Sequence, residues 1–342
     1  MTSVGSTEQQ FWQALNEVSA PELGGQVAAE WVSVEGKQAT LTVPFAVTDE
    51  SLQPLQQHAV LGQWQWQKQI KVAKLRNSQP DLPMTFGNVI VVSSGKGGVG
   101  KSSVSVNLAL ALQQMGAKVG LLDADIYGPS IATMMGGQDS PLEFTENNKM
   151  LPKQRWDIAV NSLGYLVQPG DATIWRGPMA SGALQQLFND TRWGSLDYLI
   201  VDMPPGTGDV QLTLAQKLPV TGAIVVTTPQ TIALADAEKG IAMFNKVSVP
   251  LVGIIENMSY FSCPSCGHEE PIFGSEGGLR VAKEHNIPLL GQWPLQRQLR
   301  ESLDGQQPFI RQHPEHPLAR EIFATAQRTA RHLYFQRQAE SQ

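Results

Sequence analysis

The residues best suited to chemistry form a glycine-rich turn between an apolar run and a helical pattern. Residues 95–102 fit the phosphate-binding pattern G-x-x-x-x-G-K-[ST], with Gly95, Gly100, Lys101 and Ser102 at its fixed positions. A phosphate chain must approach backbone N–H groups closely, and glycine leaves that approach open because it has no Cβ. Lys101 is expected to contact the β- and γ-phosphates of a nucleotide, and the Ser102 hydroxyl is expected to bind Mg²⁺. The predicted nucleotide-binding turn comprises Gly95, Lys96, Gly97, Gly98, Val99, Gly100, Lys101, Ser102 and Ser103.

Carboxylates follow two further apolar runs. Asp202 comes directly after the run Tyr198–Val201 and before a Pro-Pro-Gly-Thr-Gly sequence that suits a nucleotide-sensing switch. An aspartate at the tip of a buried strand beside a phosphate-binding turn is expected to act on Mg²⁺, through water or through Ser102. Asp123 and Asp125 close another run, and alternate residues of an extended chain point the same way. One of them is expected to support the metal shell, and the other to hold a water in line with the γ-phosphate.

The two cysteines of the chain, Cys263 and Cys266, lie close together in the run Cys-Pro-Ser-Cys. Two thiolates with this spacing can bind one metal ion or one edge of an iron–sulfur cluster. One chain supplies only two of the four sulfurs that a cluster or a tetrahedral Zn²⁺ prefers, and His268 is a candidate third ligand for zinc. From the residues alone, a cluster, a structural zinc half-site and two idle reduced thiols all remain open.

A sheet of parallel strands is needed to position these groups. The fully apolar, β-branched run 89–92 is typical of a buried parallel strand, and a helical pattern follows the turn. Further apolar runs precede polar residues at 119–122, 198–201, 223–226 and 251–255. Ligands of open α/β sheets lie at the carboxyl ends of the strands, so these loops should converge. The predicted fold class is therefore α/β, a P-loop NTPase with a mostly parallel sheet covered by helices and a C-terminal helix marked by Leu318, Ile322, Ala326 and Ala330.

The length of 342 residues favours two domains. Residues 1–77 are predicted to form a small α+β domain with the order α-β-β-α-β, and residues 88–342 the P-loop domain. Two prolines and polar residues mark a linker at 78–87. The small domain has no cluster of His, Cys or carboxylates, so no chemistry is assigned to it. Its Trp64 and Trp66 are expected to pack in a core rather than to form a contact face.

Composition excludes several classes of function. The net charge of −6 argues against non-specific nucleic-acid binding, which needs a basic surface. The polar start MTSVGSTEQQ lacks the basic and apolar regions of a signal peptide, and no apolar run approaches the ~18 residues that span a bilayer. A single close pair of cysteines is no disulfide framework. We therefore expect a reduced cytoplasmic protein that binds neither nucleic acid nor membrane.

Lys96 makes a family resemblance specific. The sequence Lys-Gly-Gly-Val-Gly-Lys-Ser resembles the deviant Walker A motif of SIMIBI-class ATPases, the class of the MinD/ParA, nitrogenase iron-protein and Mrp/ApbC groups. Within that class the chain is most similar to the Mrp/ApbC iron–sulfur cluster carriers. The similar segments are SSGKGGVGKSS, LLDADIYGPSI, IWRGPM, LIVDMPPGTGD, VVTTPQ, ENMSYFSCPSCG and PIFGSEGG. The resemblance implies that Lys96 reaches a partner's nucleotide, Asn257 contacts adenine, Asp125 contacts the attacking water, and Asp209 belongs to the switch after Asp202.

The resemblance also implies a function and partners. It implies an ATP-binding, slowly hydrolysing carrier that receives iron–sulfur clusters from an assembly scaffold and delivers them to apoproteins. It implies a homodimer, in which Cys263 and Cys266 of two subunits hold one bridging cluster, most simply [4Fe–4S], because four thiolates are then supplied. Nothing in the sequence itself marks a partner-independent arginine finger, although Arg176 stays open for that role. The front domain resembles a divergent form of the small domain often found ahead of the ATPase. Alternatives are a zinc-clasped dimer, a MinD/ParA-like positioning ATPase, and a redox ATPase like the nitrogenase iron protein.

Overall fold

The beginning of the chain forms a small three-stranded sheet. The computed structural model describes residues 3–79, 86–126, 128–166 and 177–340. The first elements are α1 (Ser3–Glu17), β1 (Ser19–Ala20), β2 (Gly25–Gln26), β3 (Val32–Glu35), β4 (Gln38–Val43), α2 (Gln53–Gln57) and β5 (Gln65–Ile70). Strand β4 is central, antiparallel to β3 and parallel to β5. The longer elements follow the predicted order, and the β1–β2 hairpin is an addition that the sequence pattern does not predict.

The strands that follow build one large sheet and two small hairpins. They are β6 (Asn88–Ser93), β7 (Val119–Asp123), β8 (Glu143–Phe144), β9 (Met150–Leu151), β10 (Lys153–Arg155), β11 (Ile158–Ser162), β12 (Tyr198–Asp202), β13 (Gly222–Thr227), β14 (Leu251–Glu256), β15 (Phe261–Ser262), β16 (Glu269–Glu270) and β17 (Leu289–Gln292). Eight of them pair in the order β10-β11-β7-β12-β6-β13-β14-β17. Only the β10–β11 pair is antiparallel. The predicted fold class is confirmed.

Helices cover the sheet, and every residue of β6, β12, β13 and β14 is buried as a result. The helices are α3 (Lys101–Gln114), α4 (Ile131–Met135), α5 (Gly177–Asp190), α6 (Asp209–Lys217), α7 (Thr231–Lys246), α8 (Gly277–Glu284), α9 (Arg297–Asp304), α10 (Phe309–Gln312) and α11 (Pro317–Ala339). The predicted apolar face of α11, formed by Leu318, Ile322, Ala326 and Ala330, is buried. Within the described ranges, no helix combines the length and apolarity that crossing a membrane requires.

The register of the central strands brings the candidate site residues to one edge of the large sheet. Strand β12 lies between β6 and β7, so Asp202 pairs with both Val92 and Asp123. On the other side of β6, β13 pairs with β14 so that Thr227 lies beside Glu256. The convergence predicted from the strand ends is therefore present. The sequence patterns do not predict β11 and β17, which pair with β7 and β14 respectively.

The front part of the chain packs against α11. The rings of Phe45 and Tyr334 lie 5.3 Å apart between centroids, and the Ala46 backbone N–H donates to the Tyr198 hydroxyl at 3.4 Å. Trp64 and Trp66 pack against the core, with ring centroids 4.7 Å and 5.7 Å from that of Phe11, as expected for structural residues. The domain boundaries at 1–77, 78–87 and 88–342 stay a prediction. Residues 80–85 of the predicted linker lie outside the described residues.

Candidate nucleotide site and cysteine hairpin

The glycine-rich turn joins β6 to α3 and curls around a small cleft. Gly100, at the N-terminus of α3, has a φ of +82°, in the left-handed region that favours glycine. A Cβ on Gly95 would lie 2.1 Å from the Asp236 carbonyl oxygen of α7, whereas a Cβ on Gly97 would meet nothing within 4 Å. The cleft, of about 180 Å³, is lined by residues that include Gly97, Gly98, Lys101, Ser102, Asp125 and Pro205. Its backbone N–H groups and helix N-terminus suit an anionic phosphate chain.

Asp202 lies at the base of this cleft, where its carboxylate contacts several hydrogen-bond donors. Its side chain is fully buried, and its Oδ2 lies 2.8 Å from Lys101 Nζ and accepts a hydrogen bond from Ser102 Oγ at 2.6 Å. Its other oxygen accepts from Ser105 Oγ at 2.6 Å. The hydroxyl of Ser102 and the carboxylate of Asp202 are oxygen ligands of the kind that Mg²⁺ prefers, so the residues fit the predicted metal. The structure thus brings Lys101, Ser102 and Asp202 together.

Asp123 contacts the loop that follows β7, and its expected support of the metal shell stays a prediction. Its carboxylate is buried and accepts hydrogen bonds from the Asp125 and Ile131 backbone N–H groups, each at 3.1 Å, and from Ser162 Oγ at 2.9 Å. Burial, with the nearby charge of Asp202, raises the pKa of Asp123 to about 7. Because these contacts occupy both oxygens, Asp123 holds the loop after β7. That loop carries Asp125, whose Oδ2 lies 3.7 Å from Lys101 Nζ.

The side chain of Asn257 contacts the glycine-rich turn. Its side chain is buried, and its Nδ2 donates to the Val99 carbonyl oxygen at 2.9 Å, while its backbone N–H donates to the Thr227 carbonyl oxygen at 2.8 Å. A Cβ on Gly100 would lie 2.2 Å from that same Nδ2. The amide of Asn257 therefore braces the turn, a role that the family resemblance does not imply. The expected contact with adenine stays a prediction.

The remaining predicted residues lie around the rim of the cleft. Lys96 is half-buried on the turn, and the Ser94 hydroxyl donates to its carbonyl oxygen at 2.8 Å. Asp209 is exposed at the first position of α6, after the proline-rich run that follows Asp202. Arg176 lies outside the described residues. The trans contact of Lys96 and the switch role of Asp209 stay predictions.

The two cysteines lie on a small hairpin made by β15 and β16. The Cys263 N–H donates to the His268 carbonyl oxygen at 2.9 Å, and the Gly267 N–H donates to the Cys263 carbonyl oxygen at 2.9 Å. Hydrogen bonds from the backbone N–H groups of Cys266 and Ser265 lower the pKa of the Cys263 thiol. The turn therefore favours a thiolate at Cys263, which is the form that binds metals. Both thiols are free, and Cys266 is exposed.

His268 does not join the cysteines in one site. Its Nε2 lies 3.1 Å from Glu270 Oε2, on the exposed side of the hairpin. Among the described residues, no three or more His, Cys, Asp or Glu side chains come together in a way that could hold a metal ion. The zinc site with His268 as third ligand, raised from the sequence, stays a prediction.

Sequence reasoning missed two residues that the site uses. Ser105 donates to Asp202, and the signal for it was its position one helical turn after Ser102. Glu256, at the end of β14, is fully buried with three hydrogen-bond donors on its carboxylate. The only sequence signal for Glu256 was its position as a charged residue at the end of an apolar run.

Comparison with known proteins then identifies the family. The sequence profile described as ParA: NUBPL iron-transfer P-loop NTPase matches residues 85–330. The chain belongs to this family. The iron–sulfur cluster carrier protein of Haemophilus influenzae is 53% identical over 276 residues, which cover 81% of this chain and 74% of the relative. The carrier protein of Escherichia coli K12 is 54% identical over 273 residues, covering 80% of this chain and 74% of the relative. The resemblance seen in the sequence motifs is thereby confirmed.

Further matches comprise one sequence relative and two solved structures. The iron–sulfur cluster transfer protein NUBPL of Dictyostelium discoideum is 49% identical over 234 residues, covering 68% of this chain and 72% of the relative. A solved structure of a nucleotide-binding protein from Archaeoglobus fulgidus in complex with ADP is 35% identical, with a TM-score of 0.61, and covers 70% of this chain and 93% of that chain. The MinD cell division protein of Aquifex aeolicus is 21% identical, with a TM-score of 0.52 over 71% of this chain and 96% of that chain. The likeness to MinD extends to the fold alone.

Proposed function

We propose that this chain is an ATP-hydrolysing carrier of iron–sulfur clusters, which binds its cargo at Cys263 and Cys266. The observation that carries the proposal is the cysteine hairpin. It holds the only two cysteines of the sequence on one turn, and backbone N–H groups stabilise the thiolate of Cys263. The names of the relatives in Haemophilus influenzae and Escherichia coli support the same cargo.

The nucleotide half of the proposal uses the cleft at the end of β6. The glycine-rich turn binds the phosphates, and Lys101 leaves its contact with Asp202 to neutralise the β- and γ-phosphates. Ser102 and Asp202 would hold Mg²⁺, which supplies charge neutralisation on the phosphate oxygens. Asp125, positioned by Asp123, orients the attacking water. The ADP complex of the Archaeoglobus fulgidus protein supports nucleotide binding in this fold.

The active form in this proposal is a homodimer. Lys96 lies at the rim of the turn, where it can reach the nucleotide of a second subunit, as the family resemblance implies. The same twofold axis brings Cys263 and Cys266 of both subunits to one cluster, so that four thiolates hold a [4Fe–4S] cargo. The donor is an assembly scaffold, and the acceptors are apo iron–sulfur proteins. Free thiols of this kind suit a reducing compartment, so we place the protein in the cytoplasm.

Cluster transfer tests the proposal. Protein reconstituted anaerobically with iron and sulfide should pass its cluster to an apo-ferredoxin, followed by the visible absorption of the acceptor. Cys263→Ala with Cys266→Ala should abolish both cluster content and transfer. His268→Ala is the matched control and should keep both, because His268 pairs with Glu270 instead of the cysteines. Cluster transfer that survives the double cysteine change contradicts the proposal, and stoichiometric zinc that iron cannot replace favours a structural zinc clasp.

A further inference from the structure

Two of the sequence motifs meet at one buried carboxylate. The segment ENMSYFSCPSCG begins at Glu256, and PIFGSEGG ends at Gly278. Between them runs the cysteine segment, which we define as residues 257–277 and which carries both cysteines. Glu256 Oε2 accepts a hydrogen bond from the Gly278 backbone N–H at 2.5 Å. One side chain therefore joins the two ends of the cysteine segment.

The other oxygen of Glu256 fixes the beginning of the segment. Oε1 accepts from Ser259 Oγ at 2.6 Å and from Gln292 Nε2 at 2.9 Å. The Trp293 backbone N–H donates to the Glu256 carbonyl oxygen at 2.9 Å. The side chain is 0% exposed, so loss of the contact with Ser259, Gln292 or Gly278 leaves a buried carboxylate with fewer donors. Contacts of charged groups to neutral donors are the stronger kind of hydrogen bond in proteins.

Glycine at position 278 is required for this arrangement. A Cβ there would lie 2.9 Å from Glu256 Oε2 and 3.0 Å from the Glu256 Cβ. The preceding Gly277 lies against α7, where an added Cβ would meet Leu234 Cδ1 at 2.5 Å. Both glycines allow the N-terminus of α8 to approach the strand ends closely. The Gly-Gly pair of PIFGSEGG is thus explained by packing.

The same strand end contacts the nucleotide turn. Asn257 follows Glu256 directly, and its Nδ2 donates to the Val99 carbonyl oxygen inside the glycine-rich turn. A second route runs through α7, because the Asp236 carbonyl oxygen lies against Gly95 while Leu234 of the same helix lies against Gly277. A displacement of the turn on nucleotide binding would therefore reach both ends of the segment that Glu256 joins. Contiguous packed contacts of this kind can transmit a change between two sites.

We propose that Glu256 is a positioning residue that couples the nucleotide state of the glycine-rich turn to the exposure of Cys263 and Cys266. With Glu256 in place, the cysteine segment moves as one body with the strand end at Asn257. Without its carboxylate, the hairpin loses its fixed relation to the turn, and nucleotide no longer controls the thiols. The biological role of this coupling rests on the proposed function, in which Cys263 and Cys266 carry a cluster. The test does not depend on that function, because it measures the thiols in cluster-free protein.

The test measures the reaction rate of the two thiols with the disulfide reagent DTNB in cluster-free full-length protein. Rates are compared without nucleotide and with saturating Mg-ATP, whose binding is checked by equilibrium dialysis. In the unchanged protein the two rates should differ by about 5-fold or more, the lower end of typical coupling between sites. Glu256→Gln should remove the difference, because an amide cannot accept all three hydrogen bonds. Glu269→Gln, which removes an exposed carboxylate from the same hairpin, should retain it.

Each outcome decides the proposal. Glu256→Gln protein that keeps the nucleotide-dependent difference overturns it, and so does unchanged protein whose thiols react equally fast with and without Mg-ATP. If Glu256→Gln fails to fold by circular dichroism, Gly278→Ala replaces it, since the added Cβ displaces the carboxylate from the other side. Cluster binding is measured separately by reconstitution. A chain that binds no cluster would therefore defeat the proposed function while leaving the thiol result to stand by itself.

Discussion

Removal of one partner from the buried ion pair at the base of the cleft should destabilise the nucleotide-free protein. Lys101 Nζ lies 2.8 Å from Asp202 Oδ2, and the two side chains are 6% and 0% exposed. At an effective dielectric constant of about 20, this separation corresponds to an attraction of about 6 kcal/mol. Lys101→Met keeps most of the apolar stem and leaves Asp202 with two hydroxyl donors beside Asp123. Removal of one partner from a buried pair should cost about 3–5 kcal/mol of unfolding free energy.

Urea unfolding followed by circular dichroism, without nucleotide or Mg²⁺, measures this cost. Lys239→Met is the matched control, because Lys239 Nζ lies 2.9 Å from Asp236 Oδ1 but the lysine is 66% exposed. An exposed pair at the same distance should contribute less than about 1 kcal/mol. Lys101→Met combined with Asp202→Asn should recover part of the loss, because no unpaired charge is then buried. If Lys101→Met costs no more than Lys239→Met, the argument from burial is wrong.

Three further predictions concern Lys96, two glycines of the glycine-rich turn, and Tyr334 of α11. Lys96→Ala should keep nucleotide affinity and lose ATP hydrolysis, and equal turnover in a colourimetric phosphate assay would count against a role in trans. Gly97→Ala should fold normally and lose ATP affinity, because its Cβ meets only the cleft. Gly100→Ala should in addition lose more than about 1–2 kcal/mol of stability, because its φ is +82° and its added Cβ would lie 2.2 Å from Asn257 Nδ2. Calorimetric titration and urea unfolding separate these two effects, and equal stability losses would refute the distinction. Tyr334→Ala should cost about 2 kcal/mol, since the ring packs against Trp31 and Phe45; an unchanged unfolding midpoint would contradict this.

The parts of the fold that the sequence predicts are those controlled by local pattern. The apolar run 89–92 and the glycine-rich turn specify a buried strand and a helix start within fifteen residues, so both are found where expected. The face of α11 follows from helical spacing in the same way. Strand β11 carries the polar pair Asn161 and Ser162, which the fold satisfies with contacts to Thr191 and Asp123. No local pattern contains that information.

The roles of individual site residues depend on contacts between distant parts of the chain. Asp123 could be placed at a strand end from sequence, but its use in holding the loop of Asp125 depends on Ser162, 39 residues away. Asn257 braces the Val99 carbonyl oxygen, 158 residues away, and Glu256 meets Gly278 across the cysteine segment. Such pairings are decided by strand order and register. Residue types indicate the chemistry of the site. The role of each residue, however, depends on contacts that only the three-dimensional structure shows.

The iron content of the purified protein tests the central claim most directly. Protein prepared anaerobically and reconstituted should contain about four iron and four sulfide ions per two chains, as one [4Fe–4S] cluster held by four thiolates requires. Sedimentation of the same sample should show the dimer, and Cys263→Ala with Cys266→Ala should release the iron. A monomer that keeps a full cluster, or a dimer that holds tightly bound zinc and takes up no iron, would contradict the account.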